Sequence, residues 1–186
     1  MKKRYVIGID EAGRGPLAGP VAVAAVAVAA SLRILKNIKD SKKLSAKKRE
    51  IWRKIIKNNF ECHCAFISHK VIDKIGISRA TVLGVKKVLE KFSKKANLIL
   101  LDGSLKAPKK YKQKTIIKGD EKIPLISAAS IIAKVSRDKK MLVFHKKFPK
   151  YCFDRHKGYG TKLHYKKLKK HGLCSIHRRT FLRKVL

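Results

Sequence analysis

Acidic side chains are scarce in this chain: its 186 residues carry 12 Asp and Glu against 48 Lys and Arg, a formal net charge of +36 with histidine neutral. A field of that sign attracts polyanions, and nucleic acid is the commonest polyanion in a cell, although charge alone does not say which kind. Cysteine is sparse too. Cys62, Cys64, Cys152 and Cys174 lack the paired spacing of a secreted disulfide scaffold. In "CHC" at 62–64, strand alternation turns Cys62 and Cys64 one way and His63 the other, so reduced, buried thiols are expected and metal ligands are not. Long apolar runs are missing: Val21–Ala30 is too short to span a bilayer, and 32% charged residues do not suit a membrane protein. The opening "MKKRYVIGI" begins like an export signal, but Asp10, Glu11 and Arg14 break the apolar segment, so a cytoplasmic location is expected. Repeats and linkers are absent as well. One domain over 1–186 is expected, with a C-terminal helical extension from about 150 to 186. A chain of this length buries roughly 70% of its unfolded surface without a disulfide or zinc staple.

What is present alternates between strand and helix patterns. "RYVIGID" (4–10) reads as a buried strand, and "VAVAAVAVAA" (21–30), after a turn rich in glycine and proline, as its partner. Ser45 is placed to cap a helix reaching about Asn58. "FECHCAFISH" (60–69) alternates as a third strand. Helices follow near "KVIDKIG" (70–76) and over "SRATVLGVKKVLEKF" (78–92). "NLILLDG" reads as a strand ending at Asp102, and "KTIIKGD" as a shorter one ending at Asp120. Residues 124–148 form a long helix with a face of Ser and Ala suited to close packing on a sheet, and the tail alternates loop and basic helix. The fold class is α/β, a mixed sheet flanked by helices.

The few acids are placed unevenly. Asp10-Glu11, Asp102 and Asp120 all fall at the expected ends of strands, and strand ends in an α/β sheet converge on one edge. Each has an ordinary reading: Asp102-Gly103 and Gly119-Asp120 suit turns, and Glu11 can cap or pair with a lysine. Four together in so acid-poor a chain point elsewhere. Close carboxylates raise each other's pKa unless a cation neutralises them, and oxygen ligands select a hard ion such as Mg²⁺ or Mn²⁺. Two such ions about 4 Å apart bind both the attacking and the leaving oxygen of a phosphodiester. A polyanion-binding surface and an acidic metal nest thus occur in one chain.

"GIDEAGRGPLAGPV" (8–21) resembles the opening signature of ribonuclease HII, the bacterial type 2 ribonuclease H family. "DSKKLS" (40–45), "LLDG" (100–103), "KGD" (118–120), "SAASIIAKVSRD" (127–138), "HKGYGTKLH" (156–164) and "IHRRTF" (176–181) are similar to further blocks of that family, in order and over nearly the whole chain. The resemblance implies a ribonuclease H-like mixed sheet with a small helical C-terminal part. It also implies metal-dependent endonucleolytic cleavage of RNA in RNA–DNA hybrids and at single ribonucleotides in duplex DNA, by a monomer using two divalent ions. Carried over by position, it places the metal-binding, catalytic carboxylates at Asp10, Glu11, Asp102 and Asp120. Asp138, a competing fourth acid, lies inside a helix where a lysine partner accounts for it.

The resemblance further implies that the turn Gly13-Arg14-Gly15 grips the ribonucleotide at the RNA–DNA junction. Glycines let backbone groups approach a sugar closely, and the 2′-OH distinguishes RNA from DNA. Tyr159 matches the family's sugar-packing tyrosine, and Ser41, Lys42 and Lys43 resemble a phosphate-holding loop. The C-terminus departs from the family pattern, in which a proline commonly precedes the final "HR" and a proline-valine pair often follows. Here "CSIHRRTFLRKVL" leaves the docking of that segment open. A non-catalytic, basic, ribosome-associated RNA-binding protein is the alternative; it explains the charge but not the acids. Another nuclease or transposase on the same fold would keep the acids and lose the glycine turn.

Overall fold

The computed structural model describes residues 5–29, 32–36, 38, 44–94 and 96–183. Five strands form one sheet in the order β3-β2-β1-β4-β5: β1 (Val6–Ala12), β2 (Val21–Val28), β3 (Cys62–Ile67), β4 (Leu98–Asp102) and β5 (Gln113–Ile116). β1 is central. It pairs antiparallel with β2 and parallel with β4, while β3 joins antiparallel to β2 and β5 parallel to β4. The eight residues of β2 are all buried, as an apolar run covered on both faces requires.

One face of the sheet is covered by α1 (Ala46–Asn59) and the 24-residue α5 (Pro124–Lys147), the other by α3 (Ile77–Leu89), which α2 (His69–Ile75) precedes. Small residues let these layers close. A Cβ at Gly8 would lie 2.7 Å from the backbone of Leu125, so α5 rests directly on β1. Alternation along β1 divides the cores accordingly: Ile7 and Ile9 pack with Val85 and Leu101 under α3, while Ala24 and Val26 of β2 pack with Leu125 and Ala129 of α5. Each fully buried aliphatic side chain contributes about 1.5–3 kcal/mol. Ser45 caps α1 by accepting from the Lys48 amide, and Ser68 caps α2 by accepting from Val71.

Past α5, after a 3-10 turn at Pro149–Tyr151, the described residues form three α-helices, α6 (Phe153–His156), α7 (Lys162–His171) and α8 (Arg179–Leu182). Their apolar residues, among them Phe153, Leu168, Ile176 and Leu182, gather around Leu17, Ala18 and Met141. The C-terminal helices therefore pack on the β1–β2 connection and the far end of α5. Cys62 and Cys64 face the α1–α5 side, and His63 meets the Phe92 ring edge-on at 4.7 Å on the other. All four thiols are free and half-buried rather than fully buried.

Two boundaries that bear on the acids differ from the sequence reading. β1 extends to Ala12, so Asp10 and Glu11 lie within the strand. β5 stops at Ile116, and Asp120 sits on a single helical turn, α4 (Gly119–Lys122). Lys118 causes the second change: it takes the left-handed conformation at φ 54°, which breaks the strand and aims the next amides back at β4.

Candidate active site

The parallel register of β1 and β4 sets the site. Ile9 pairs with Leu101, so Asp10 and Asp102, one residue further on each strand, emerge side by side at the carboxyl edge and on the same face. Asp102 Oδ1 accepts from the amides of Gly119 at 2.6 Å and Asp120 at 3.2 Å, which docks α4 beside it. Ser127 donates to the Asp120 carbonyl at 2.6 Å and clamps the same turn from α5. As a result Asp10, Asp102 and Asp120 each offer a carboxylate oxygen within 4.8 Å of the others, with Asp10 and Asp120 buried.

Glu11 stands next to this group and is not part of the 4.8 Å cluster. It lines the same cavity as Asp10 and Asp102, its Oε1 lies 3.6 Å from the Arg14 guanidinium, and its Oε2 is buried without a hydrogen-bond partner. Asp138 pairs with Lys134 at 3.0 Å, within α5.

Electrostatics fit the donor set to a cation. Burial pushes the Asp10 carboxyl well above the usual range, with the charges of Glu11 and Asp102 adding to the effect, while Ser130 and the Glu11 amide oppose it. Burial likewise raises Glu11, against the pull of Arg14. Carboxylates held at such cost, one with an orphaned buried oxygen, are what a hard divalent ion neutralises.

Above the acids lies a cavity of about 500 Å³, whose walls include Gly13, Arg14, Gly15, Arg49, Lys134 and Tyr159. Gly13 has φ 94°, and a Cβ there would run into the Arg137 side chain, so both conformation and space require glycine. Tyr159 is 40% exposed and therefore available to a ligand rather than spent in the core. The Lys134 and Arg137 cations lie 5.7 and 5.5 Å from its ring centroid. Ser41, Lys42 and Lys43 fall outside the described residues. Ser127, Ser130, Lys134 and Arg49 were not singled out in the sequence. The first three recur at helical spacing through the apolar first half of α5, and that periodicity was the available signal.

A mixed sheet with an acidic cluster at the edge of its two central parallel strands defines the ribonuclease H-like class of nucleases. Residues 7–184 match the family model for ribonuclease HII. The ribonuclease HII of Caldicellulosiruptor bescii is 47% identical over 184 residues, covering 98% of this chain and 89% of that one. That of Endomicrobium trichonymphae is 49% identical over 178 residues, 95% and 84% of the two chains. Among solved structures, ribonuclease H2 from Pyrococcus horikoshii superposes with a TM-score of 0.78 at 27% identity, over 97% of this chain and 96% of that one. A ribonuclease HIII bound to Mn²⁺ shares the fold at a TM-score of 0.70 and 16% identity, covering 96% of this chain and 65% of that one. The chain belongs to the ribonuclease HII family.

Proposed function

We propose that the chain is a metal-dependent endoribonuclease that cleaves the RNA strand of RNA–DNA hybrids and incises duplex DNA at single embedded ribonucleotides. The observation that carries this reading is the meeting of Asp10, Asp102 and Asp120 beneath a cavity walled by a glycine turn and an exposed tyrosine. In a chain so rich in cations, the acids are gathered where a phosphodiester enters. Asp10, Asp102 and Asp120 hold divalent ions, Mg²⁺ or Mn²⁺, with Glu11 completing the set from the neighbouring wall. Bound ions of this kind supply an activated water and neutralise charge at the scissile phosphate.

The remaining work falls to the protein itself. The Gly13-Arg14-Gly15 backbone lies close enough to the cavity to meet a ribose, and the 2′-OH there can both donate and accept a hydrogen bond. The Tyr159 ring packs flat against the sugar that follows the junction, where a deoxyribose has no hydroxyl to press on it. Lys134 and Arg49 attract the phosphates on either side. The protein acts as a monomer.

The test is a duplex carrying one ribonucleotide, incubated with and without Mg²⁺. The expected outcome is one incision at the ribonucleotide, only with the metal. A basic RNA-binding protein would leave the duplex intact in both conditions.

A further inference from the structure

Cys174, His177 and Arg178 lie on the C-terminal segment whose docking the sequence left open. That segment pairs with the β1–β2 connection: the Arg178 amide donates to the Leu17 carbonyl at 2.8 Å, and Gly19 donates to the Ile176 carbonyl at 2.9 Å. Two adjacent side chains then diverge. The fully buried Arg178 reaches the glycine turn, its Nη2 donating to the Gly13 carbonyl at 2.7 Å, Nη1 to Arg14 at 2.7 Å and Nε to Gly19 at 2.9 Å. In a trans peptide, C=O and N–H point opposite ways. Drawing the Gly13 and Arg14 carbonyls onto the guanidinium therefore turns the Arg14 and Gly15 amides away from it, on a turn that lines the cavity.

His177 reaches the other wall through His164. The two Nε2 atoms are 3.0 Å apart, and His164 Nδ1 lies 2.9 Å from the Tyr159 carbonyl. That carbonyl only accepts, so His164 carries its proton on Nδ1 and accepts at Nε2. His177 must then donate from Nε2 and accept at Nδ1, where the Cys174 amide stands at 2.9 Å. The Cys174 carbonyl and Sγ, each 3.2 Å from the same Nδ1, are the longer contacts. One directional chain of hydrogen bonds thus runs from Cys174 to the backbone of Tyr159. His156 stacks on His164 at 4.3 Å and locks the ring plane.

We infer that His177 and Arg178 are positioning residues for ribonucleotide recognition: Arg178 sets the Gly13–Gly15 turn and His177, through His164, sets Tyr159, so that one segment holds both sugar-contacting elements in register. This rests on the function proposed above, and it assigns a role to residues outside the cavity. A purely structural tail would lower stability without changing which substrate is chosen.

The experiment has two arms. In the first, kcat/KM is measured for a duplex with one ribonucleotide and for a continuous RNA–DNA hybrid, using wild type, Arg178→Lys, His164→Asn and His164→Phe. Lysine keeps the charge but cannot reach three carbonyls. Asn keeps a donor toward the Tyr159 carbonyl, and Phe does not. Arg178→Lys and His164→Phe should lower the ratio of the two rates about tenfold, as expected for misplacement on the ångström scale, and His164→Asn should recover part of it. Mn²⁺ affinity should stay at the wild-type value. An unchanged ratio in folded variants overturns the inference, whereas a wild type that cuts neither substrate overturns the proposed function instead. The second arm needs no variant and no activity: the imidazole ¹⁵N spectrum of wild type should show His164 protonated on Nδ1 and His177 on Nε2. Two Nε2–H tautomers would break the chain and overturn the inference, whatever the variants do.

Discussion

At the scale of single residues, Asp10 is a buried carboxylate of the acidic cluster. Its burial between β1 and α5, with Glu11 and Asp102 beside it, makes the ionised form costly until a cation arrives. Replacing it by asparagine keeps the shape and removes the charge. Asp10→Asn is expected to cut turnover on the embedded-ribonucleotide duplex about a thousandfold, the effect of losing several kcal/mol of charge stabilisation in the transition state. Duplex affinity should barely change, because it comes from lysines elsewhere. Single-turnover rates and an equilibrium titration on the same variant check both halves, and near wild-type turnover would remove Asp10 from the metal set. Gly13 shows the converse constraint. Its positive φ and the Arg137 side chain packed against it leave room for nothing larger.

At the scale of elements, the C-terminal helices bring a pH dependence of their own. His164 and His177 are held down to about 4, chiefly by burial, with His156 adding to the effect on both. The groups facing this pair are His156, His69, Cys174 and Tyr151. A histidine whose folded value lies below its ordinary 6.5 is protonated first in the unfolded chain. Its stabilisation is therefore complete above pH 6.5 and is lost as the pH falls toward 4. Asp10 and Glu11, raised by burial, act in the opposite sense and lose stability as the pH rises. The difference between wild type and His164→Phe isolates the imidazole contribution. Urea midpoints at pH 7 and pH 5 should fall further for wild type than for the variant, and equal slopes would show that the buried rings are not neutral.

At the scale of the whole molecule, charge and fold are separate devices. The exposed lysines of α1 and α7, such as Lys47, Lys54, Lys162 and Lys166, contribute to the field. With +36 on the chain, five or six phosphates neutralised at once give a log–log slope of affinity against salt near −5, at about −0.9 per phosphate. A salt titration on duplex DNA measures this. A nearly flat line would refute electrostatic binding and leave the carboxylate cluster untouched. Among the described residues no helix is long and apolar enough to cross a membrane.

Order along the chain was enough for the mixed α/β class and for the strands that carry Asp10, Glu11 and Asp102. Those features follow from alternation and from where apolar runs stop, and both are local. The thiols at 62 and 64 could be set against His63 for the same reason. Asp120 was placed at a strand end because "KTIIKGD" reads as one run; a single left-handed residue, Lys118, and the amides bonded to Asp102 put it on a helical turn instead. Ser127 and Ser130 looked like packing residues until α5 lay across β1. Above all, the clamp on the glycine turn joins Arg178 to Gly13 across 165 positions. No local pattern records such a pairing, because it exists only once the sheet, α5 and the C-terminal helices have closed around the same loop.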